Sequence, residues 1–277
     1  MITSIRRILI GQKVIPICTI ILGILFIITM LAPLIAPNDP IAVNLAFKLQ
    51  PPSWEFPLGT DHLGRCNLSR LLFGGRISLG FAMLIFISSL TIGLIIGTFS
   101  GYKGGWVDQV LMRFCDGVMA FPSLILILGL VGIFGPGLQQ VILALMLVQW
   151  VYYARMFRGM VLSLKEQNFI AAAKISGSSQ WKIIKNHIIP NVLPPLVVMG
   201  TLEMGWAIMD ISAMSFLGLG VQPPTPEWGA MIHEGKSYIR TNPELMLYPG
   251  LMIMLVIVTF NLLGEALSER YGVKRRS

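Results

Sequence analysis

The sequence predicts an all-α, polytopic membrane protein with six transmembrane helices, and three observations lead there. Hydrophobic residues fill 55% of the 277 positions and charged residues only 12%, a balance too apolar for an ordinary water-soluble domain. The apolar residues fall into six long runs, each close to the length that crosses a bilayer. The Lys and Arg residues lie between those runs, as the positive-inside rule requires. The net charge of +8 therefore reads as a topology signal, and nucleic acid is not an expected partner. No internal repeat, low-complexity tract or second domain is apparent, so residues 1–277 read as a single transmembrane domain. Cys18, Cys66 and Cys115 show neither an evident disulfide pairing nor a metal-type spacing.

Residues 1–13 carry Arg6, Arg7 and Lys13 and precede an uncharged run over 14–36. That run exceeds the apolar core of about 7 to 15 residues found in cleavable signals, so it predicts an uncleaved first span with a cytoplasmic N-terminus. Residues 37–76 are broken by Pro37, Pro40, Pro51, Pro52 and Pro57 and predict an exported segment. In its second half Asp61 can cap an interfacial helix with Leu68, Leu71 and Leu72 on one face and Arg65 and Arg70 on the other. The second span is expected over 77–99, where Gly93, Gly97 and Gly101 recur every four residues and permit close approach of another helix. A polar return over 101–117 leads to a third span over 118–134, a turn at Gly135, Pro136 and Gly137, and a fourth span over 138–153. A cytoplasmic loop covers 154–195, followed by a fifth span over 196–221, a second exported loop over 223–248, a sixth span over 247–263 and a basic tail. With both termini inside, 15 of the 21 Lys and Arg residues fall on the cytoplasmic side, which supports that orientation.

The longest polar interruption is residues 165–195. Its first helix is expected over Phe169 to Ile175, Gly177 can supply a left-handed stop, and Ser178 or Ser179 can cap a second helix reaching about Ile189. Trp181, Ile184 and Ile188 then share a face, with Lys182 and Lys185 on the flank, and Pro190, Pro194 and Pro195 close the segment. Such a hairpin can lie on the lipid surface or dock on a partner.

Ala171, Ala172, Ala173 and Gly177, followed by Ile188, Ile189 and Pro190, resemble the EAA loop of ATP-binding-cassette importer permeases, with Ala171 where Glu is usual. His187, before the Ile-x-Pro run, resembles the peptide and nickel branch. PLGTDHLGRCNLSRLLFGGRISL from Pro57, GYKGGWVDQVLMRFCDGVMAFPSL from Gly101 and FLGLGVQPPTPEWGAMI from Phe216 are similar to the same dipeptide, oligopeptide and nickel permeases, with Cys66 in place of an acidic residue. The resemblance implies a type I importer permease fold in a bacterial inner membrane. It implies four kinds of partner: a homologous permease subunit, two ATPase subunits, a periplasmic substrate-binding protein and the lipid bilayer. ATP and Mg would be bound by the ATPases, leaving no cofactor in this chain. Phe169, Ala171, Ala172, Ala173, Gly177, Trp181, His187 and Pro190 would make the coupling contact.

No P-loop occurs, Gly218 and Gly220 lack the third glycine of a dinucleotide site, and His62, His187 and His233 belong to no nucleophile motif, so an enzyme is not expected. Glu203 and Asp210 are seven residues apart in the fifth span, hence about 20° apart around the helix and roughly 10 Å along it. Met199 and Met214 extend that stripe. Intramembrane carboxylates cost about 2.5 to 3.5 kcal/mol even on the lenient insertion scale, so they should face water or another helix. They read as a translocation lining for a cation or as an interhelical hydrogen bond. The peptide permeases tend to carry a small residue in place of Glu203, and this departure favours nickel(II) or a nickel chelate, with dipeptides or oligopeptides as the alternative. A channel or secondary transporter would not need the hairpin, and a membrane-embedded enzyme would need paired catalytic groups at one depth, whereas Glu203 and Asp210 are roughly 10 Å apart along one helix. No metal site is assigned; His62, His233 and Glu203 are the candidates, His62 and His233 being equally readable as ordinary loop histidines.

Overall fold

The computed structural model describes residues 2–271, with side chains from residue 13 onward. The side chains of Arg6 and Arg7 and the tail residues Lys274, Arg275 and Arg276 lie outside the described residues. Among the described residues five helices are long and apolar enough to cross a membrane, and a sixth crossing results if one sharply bent pair counts as a single span.

Helix α1 (Ile2–Met30) ends where Pro33 starts a short turn, α2 (Ala32–Ile35). The chain to residue 66 is irregular but internally bonded: Asn44 N donates to the Leu63 carbonyl at 3.1 Å and Leu49 N to that of Asp61 at 3.0 Å. Helix α3 (Asn67–Lys103) then runs 37 residues, roughly 55 Å at 1.5 Å per residue. A separate interfacial helix capped by Asp61 does not form. Asp61 instead closes a tight turn, its Oδ1 accepting from the N–H of Leu63 and of Arg65 at 2.8 and 2.9 Å.

The glycine stripe works as expected. Helix α6 (Leu138–Lys165) packs along α3 so closely that a Cβ on Gly93 would lie 2.9 Å from Ala154 N, one on Gly97 2.9 Å from Phe157 Cβ, and one on Gly101 3.0 Å from the Arg158 carbonyl. Beyond the predicted end at Tyr153, α6 continues to Lys165, and its cations find partners on two neighbouring helices. Arg158 forks onto Asp108 at 2.5 and 2.6 Å, Arg155 pairs with Asp116, and Lys165 donates to the carbonyls of Gly101 and Tyr102. The connecting loop therefore begins near residue 166 and not at 154.

The predicted third span over 118–134 is divided. Helix α4 (Gly105–Met119) and helix α5 (Ser123–Phe134) meet at 87° around Pro122, and α5 alone spans only about 18 Å.

The hairpin forms as expected at its start: α7 (Asn168–Ile175), Gly177 at φ 75°, and Ser179 accepting from the N–H of Lys182 at the start of α8 (Gln180–Ile183). The prolines do not end it. A π-helical turn over Ile184–Ile188, with Ile189 N bonded to the Ile184 carbonyl, carries α8 into α9 (Ile189–Phe216). Pro190 sits in the first turn of α9, where a missing N–H is harmless, and Pro194 and Pro195 are absorbed within it. The wider turn also shifts the buried face: Ile183 and Ile188 are buried, whereas Trp181 is 70% exposed.

Helix α9 turns out at Gly218, φ 79°. The following chain folds back into the bundle as α10 (Trp228–Gly235), and α11 (Glu244–Tyr271) completes the fold. Trp228 is fully buried, with Nε1 donating to the Leu71 carbonyl at 3.0 Å. Gly229 is required there, since a Cβ would meet the Ser212 backbone. The main core joins α3, α6, α9 and α11 through Ile85, Leu145, Ile208, Ile211 and Val256.

Candidate functional site

Helices α6 and α9 run antiparallel, and each presents polar groups to a cleft of about 480 Å³ between them. Glu203 and Asp210 both line it, as their heptad spacing predicts. Opposite them, Gln149 Nε2 donates to Asp210 Oδ2 at 2.8 Å and the Tyr153 hydroxyl donates to Glu203 Oε2 at 3.4 Å. Gln149 and Tyr153 are four apart, so they share a face of α6. Met119, Phe121 and Ser123 wall one side, Tyr152 and Trp206 also line the cleft, and the α4–α5 bend is what brings the first three there.

The carboxylates keep one oxygen each outside these two bonds. No group of three His, Cys, Asp or Glu side chains converges in the cleft among the described residues. It therefore presents two carboxyl groups and hydrogen-bond acceptors, without a cluster of three ligands among the described residues. Met214 is fully buried in the core and Met199 is half-buried, and neither lines the cleft. The one methionine that does is Met119, which the heptad argument on α9 had no means of finding.

The hairpin residues form a second surface. Ile170, Ile183 and Ile188 anchor it in a core with Phe157 and Val161 of α6. Ala171, Ala172, Gly177 and Pro190 are exposed, as are Phe169 and Trp181, while Ala173 and His187 are half-buried. The rings of Phe169 and His187 lie 6.2 Å apart. Because α8 is continuous with α9, the rod bearing Trp181 also bears Glu203, 22 residues on and about 33 Å away.

At the other end of α3 lies an ionic cluster. Arg65 and Arg70, each 1% exposed, both donate to Glu234 Oε2, at 2.6 and 2.8 Å, and Arg65 Nε donates to Asp61 Oδ2 at 2.6 Å. The expectation that these arginines face outward at an interface fails, because their acidic partner Glu234 comes from α10. His62 stacks on Tyr238 with ring centroids 5.5 Å apart. Burial pushes its imidazole below the ordinary value, against the pull of the Asp61 and Glu234 carboxylates. His233 is elsewhere, its Nδ1 donating to the Phe216 carbonyl at 2.6 Å. Glu227 was also missed: it is fully buried, accepting from Ser78 Oγ at 2.8 Å and from Ala230 N at 2.9 Å.

Comparison with known proteins gives a consistent set of relatives. Residues 93–273 match the family described as binding-protein-dependent transport system inner membrane component. The chain is 42% identical over 250 residues to the nickel transport system permease protein NikC of Escherichia coli K12, covering 90% of each. It is 38% identical to the dipeptide transport system permease protein DppC of Alkalihalophilus pseudofirmus, covering 93% of this chain and 85% of that one. Among solved structures, an inward-facing MetNI methionine ABC transporter shares the fold with a TM-score of 0.56 at 20% identity, over 75% of this chain and 98% of that one.

Proposed function

The chain belongs to the family of binding-protein-dependent transport inner-membrane components, and from that premise we propose that it passes nickel(II), free or chelated, across the inner membrane by alternating access. The observation that carries the choice of cargo is the pair Glu203 and Asp210 facing one cleft; the likeness to a nickel permease supports it. Two carboxylates that lack a third ligand attract a divalent cation without trapping it, which is what transit requires.

In this reading both termini are cytoplasmic, and residues 1–277 act as one transmembrane domain beside a homologous permease subunit. Two ATPase subunits bind ATP and Mg, and a periplasmic protein delivers the cargo. Phe169, Ala171, Ala172, Ala173, Gly177, Trp181, His187 and Pro190 form the surface that the ATPases push. The thrust travels along the unbroken α8–α9 rod to Glu203 and Asp210 and moves them against Gln149 and Tyr153. A dipeptide is the second reading. The about 480 Å³ cleft with Tyr152, Trp206 and Phe121 in its walls has room for one, its ammonium group toward the carboxylates.

Uptake of radiolabelled nickel and of a labelled dipeptide, in cells lacking this chain and in cells given it back, separates the two. Loss and rescue of nickel uptake alone is the expected result. Loss and rescue of dipeptide uptake alone would overturn the nickel assignment.

A further inference from the structure

Away from the cleft, at the end of α3 remote from the hairpin, ligand-capable atoms of Asp61, His62 and Glu234 all lie within 4.8 Å of one another. With Asn67, Arg70 and Met231 they line a void of about 10 Å³, close to the smallest space that admits a single water. Glu234 binds both arginines through Oε2, and its Oε1 has no partner among the described residues. Neither ring nitrogen of His62 has a hydrogen bond among the described residues, and the ring is half-buried and stacks on Tyr238. Asp61 is nearer saturation. Its Oδ1 accepts two backbone N–H groups and its Oδ2 accepts from Arg65 Nε, with Arg70 Nε 3.4 Å away.

We propose that His62 and Glu234, with Asp61 as a weaker third ligand, bind a borderline divalent transition-metal ion such as Ni²⁺ or Co²⁺ at this end of the molecule. Imidazole with carboxylate suits such ions, whereas Mg²⁺ takes oxygen donors and keeps its water. Arg65 and Arg70 serve as the outer partners that fix the carboxylates. Their charges cancel those of Asp61 and Glu234, so the ion is held loosely. Three ligands each about 2.1 Å from a shared ion lie at most about 3.6 Å from one another, so closing the site from separations of up to 4.8 Å takes a movement of about an ångström. That movement falls on His62, whose ring nitrogens have no hydrogen bond among the described residues, whereas Asp61 and Glu234 are tied to the arginines.

The site is distinct from the cleft and can fail while the transport reading stands. The test uses the intact importer complex without its solute-binding protein, labelled with diethyl pyrocarbonate in Ni²⁺ or Mg²⁺ and mapped by mass spectrometry. At twice the dissociation constant, Ni²⁺ should slow labelling of His62 about threefold, leave His233 unchanged, and have no equivalent in Mg²⁺. In equilibrium dialysis with Ni²⁺ alone, His62→Ala should bind one ion fewer per chain than the native complex, and Glu203→Gln should retain that ion. An unchanged labelling rate at His62, or a His62→Ala complex that binds as many ions as the native one, overturns the proposal. The labelling arm needs no variant and decides the matter even if His62→Ala fails to assemble.

Discussion

Gly97→Ala adds one methyl group at the tightest point of the α3–α6 contact, and its effect can be worked from the backbone around it. The new Cβ would overlap the Ala154 carbonyl and sit 2.9 Å from Phe157 Cβ and 3.0 Å from Ala154 C. Two of those neighbours are main-chain atoms inside a helix and cannot rotate away, so the two helices must separate by roughly an ångström, an overpacking strain of about 1 to 3 kcal/mol. At 1.4 kcal/mol per tenfold, that lowers the folding equilibrium by about 5- to 140-fold. In the proposed transport function the movement matters too, since the displaced α6 carries Gln149 and Tyr153, which face the carboxylates. The assay is thermal unfolding of the purified complex together with nickel uptake, with Gly80→Ala as the control because nothing lies within 4 Å of its added Cβ. Gly97→Ala should lower both the melting temperature and uptake while Gly80→Ala lowers neither. Equal stability of the two variants would refute the claim that the small-residue stripe sets the helix separation.

Other expectations concern the two ends of the molecule. Trp181→Ala should leave the melting temperature within a degree or two and abolish co-purification of the ATPase subunits, whereas Ile183→Ala, at a fully buried position, should cost about 2 to 5 kcal/mol and lower the yield of folded protein. Glu234→Gln leaves Arg65 and Arg70 buried with one carboxylate between them. Breaking a buried ionic group in this way costs about 3 to 5 kcal/mol, which a thermal melt should read as a large loss. Replacing all of Arg65, Arg70, Asp61 and Glu234 by apolar residues of similar volume should recover much of it.

What could be read from the sequence was whatever depends on local period. The spans, the Gly93–Gly97–Gly101 contact face, the reversal at Gly177 and the shared face of Glu203 and Asp210 all follow from residues within a few turns of one another. Pairings across the chain could not be read. Arg65 and Arg70 look amphipathic in isolation, and only Glu234, 169 and 164 residues away, makes them core. Glu227 reads as a loop acid until Ser78, 149 residues earlier, is brought to it. The prolines at 190, 194 and 195 misled for a different reason. In a membrane helix a π turn and neighbouring helices can absorb a missing N–H, so residues that end a soluble helix leave α8 and α9 continuous. The same π turn altered the register, placing Ile183 inside and Trp181 outside. The bend near Pro122 gave no periodic signal at all, although it supplies Met119, Phe121 and Ser123 to the cleft.

The central claim is that the cleft carries a divalent cation past Glu203 and Asp210, and nickel uptake by Glu203→Gln with Asp210→Asn in an otherwise native, assembled complex tests it most directly. A divalent ion about 6 Å from one carboxylate gains about 1.4 kcal/mol even at the dielectric constant of water, so removing both charges should reduce uptake at limiting nickel by about 100-fold or more. Uptake within about twofold of the native complex, with the ATPase subunits still co-purifying, would contradict it.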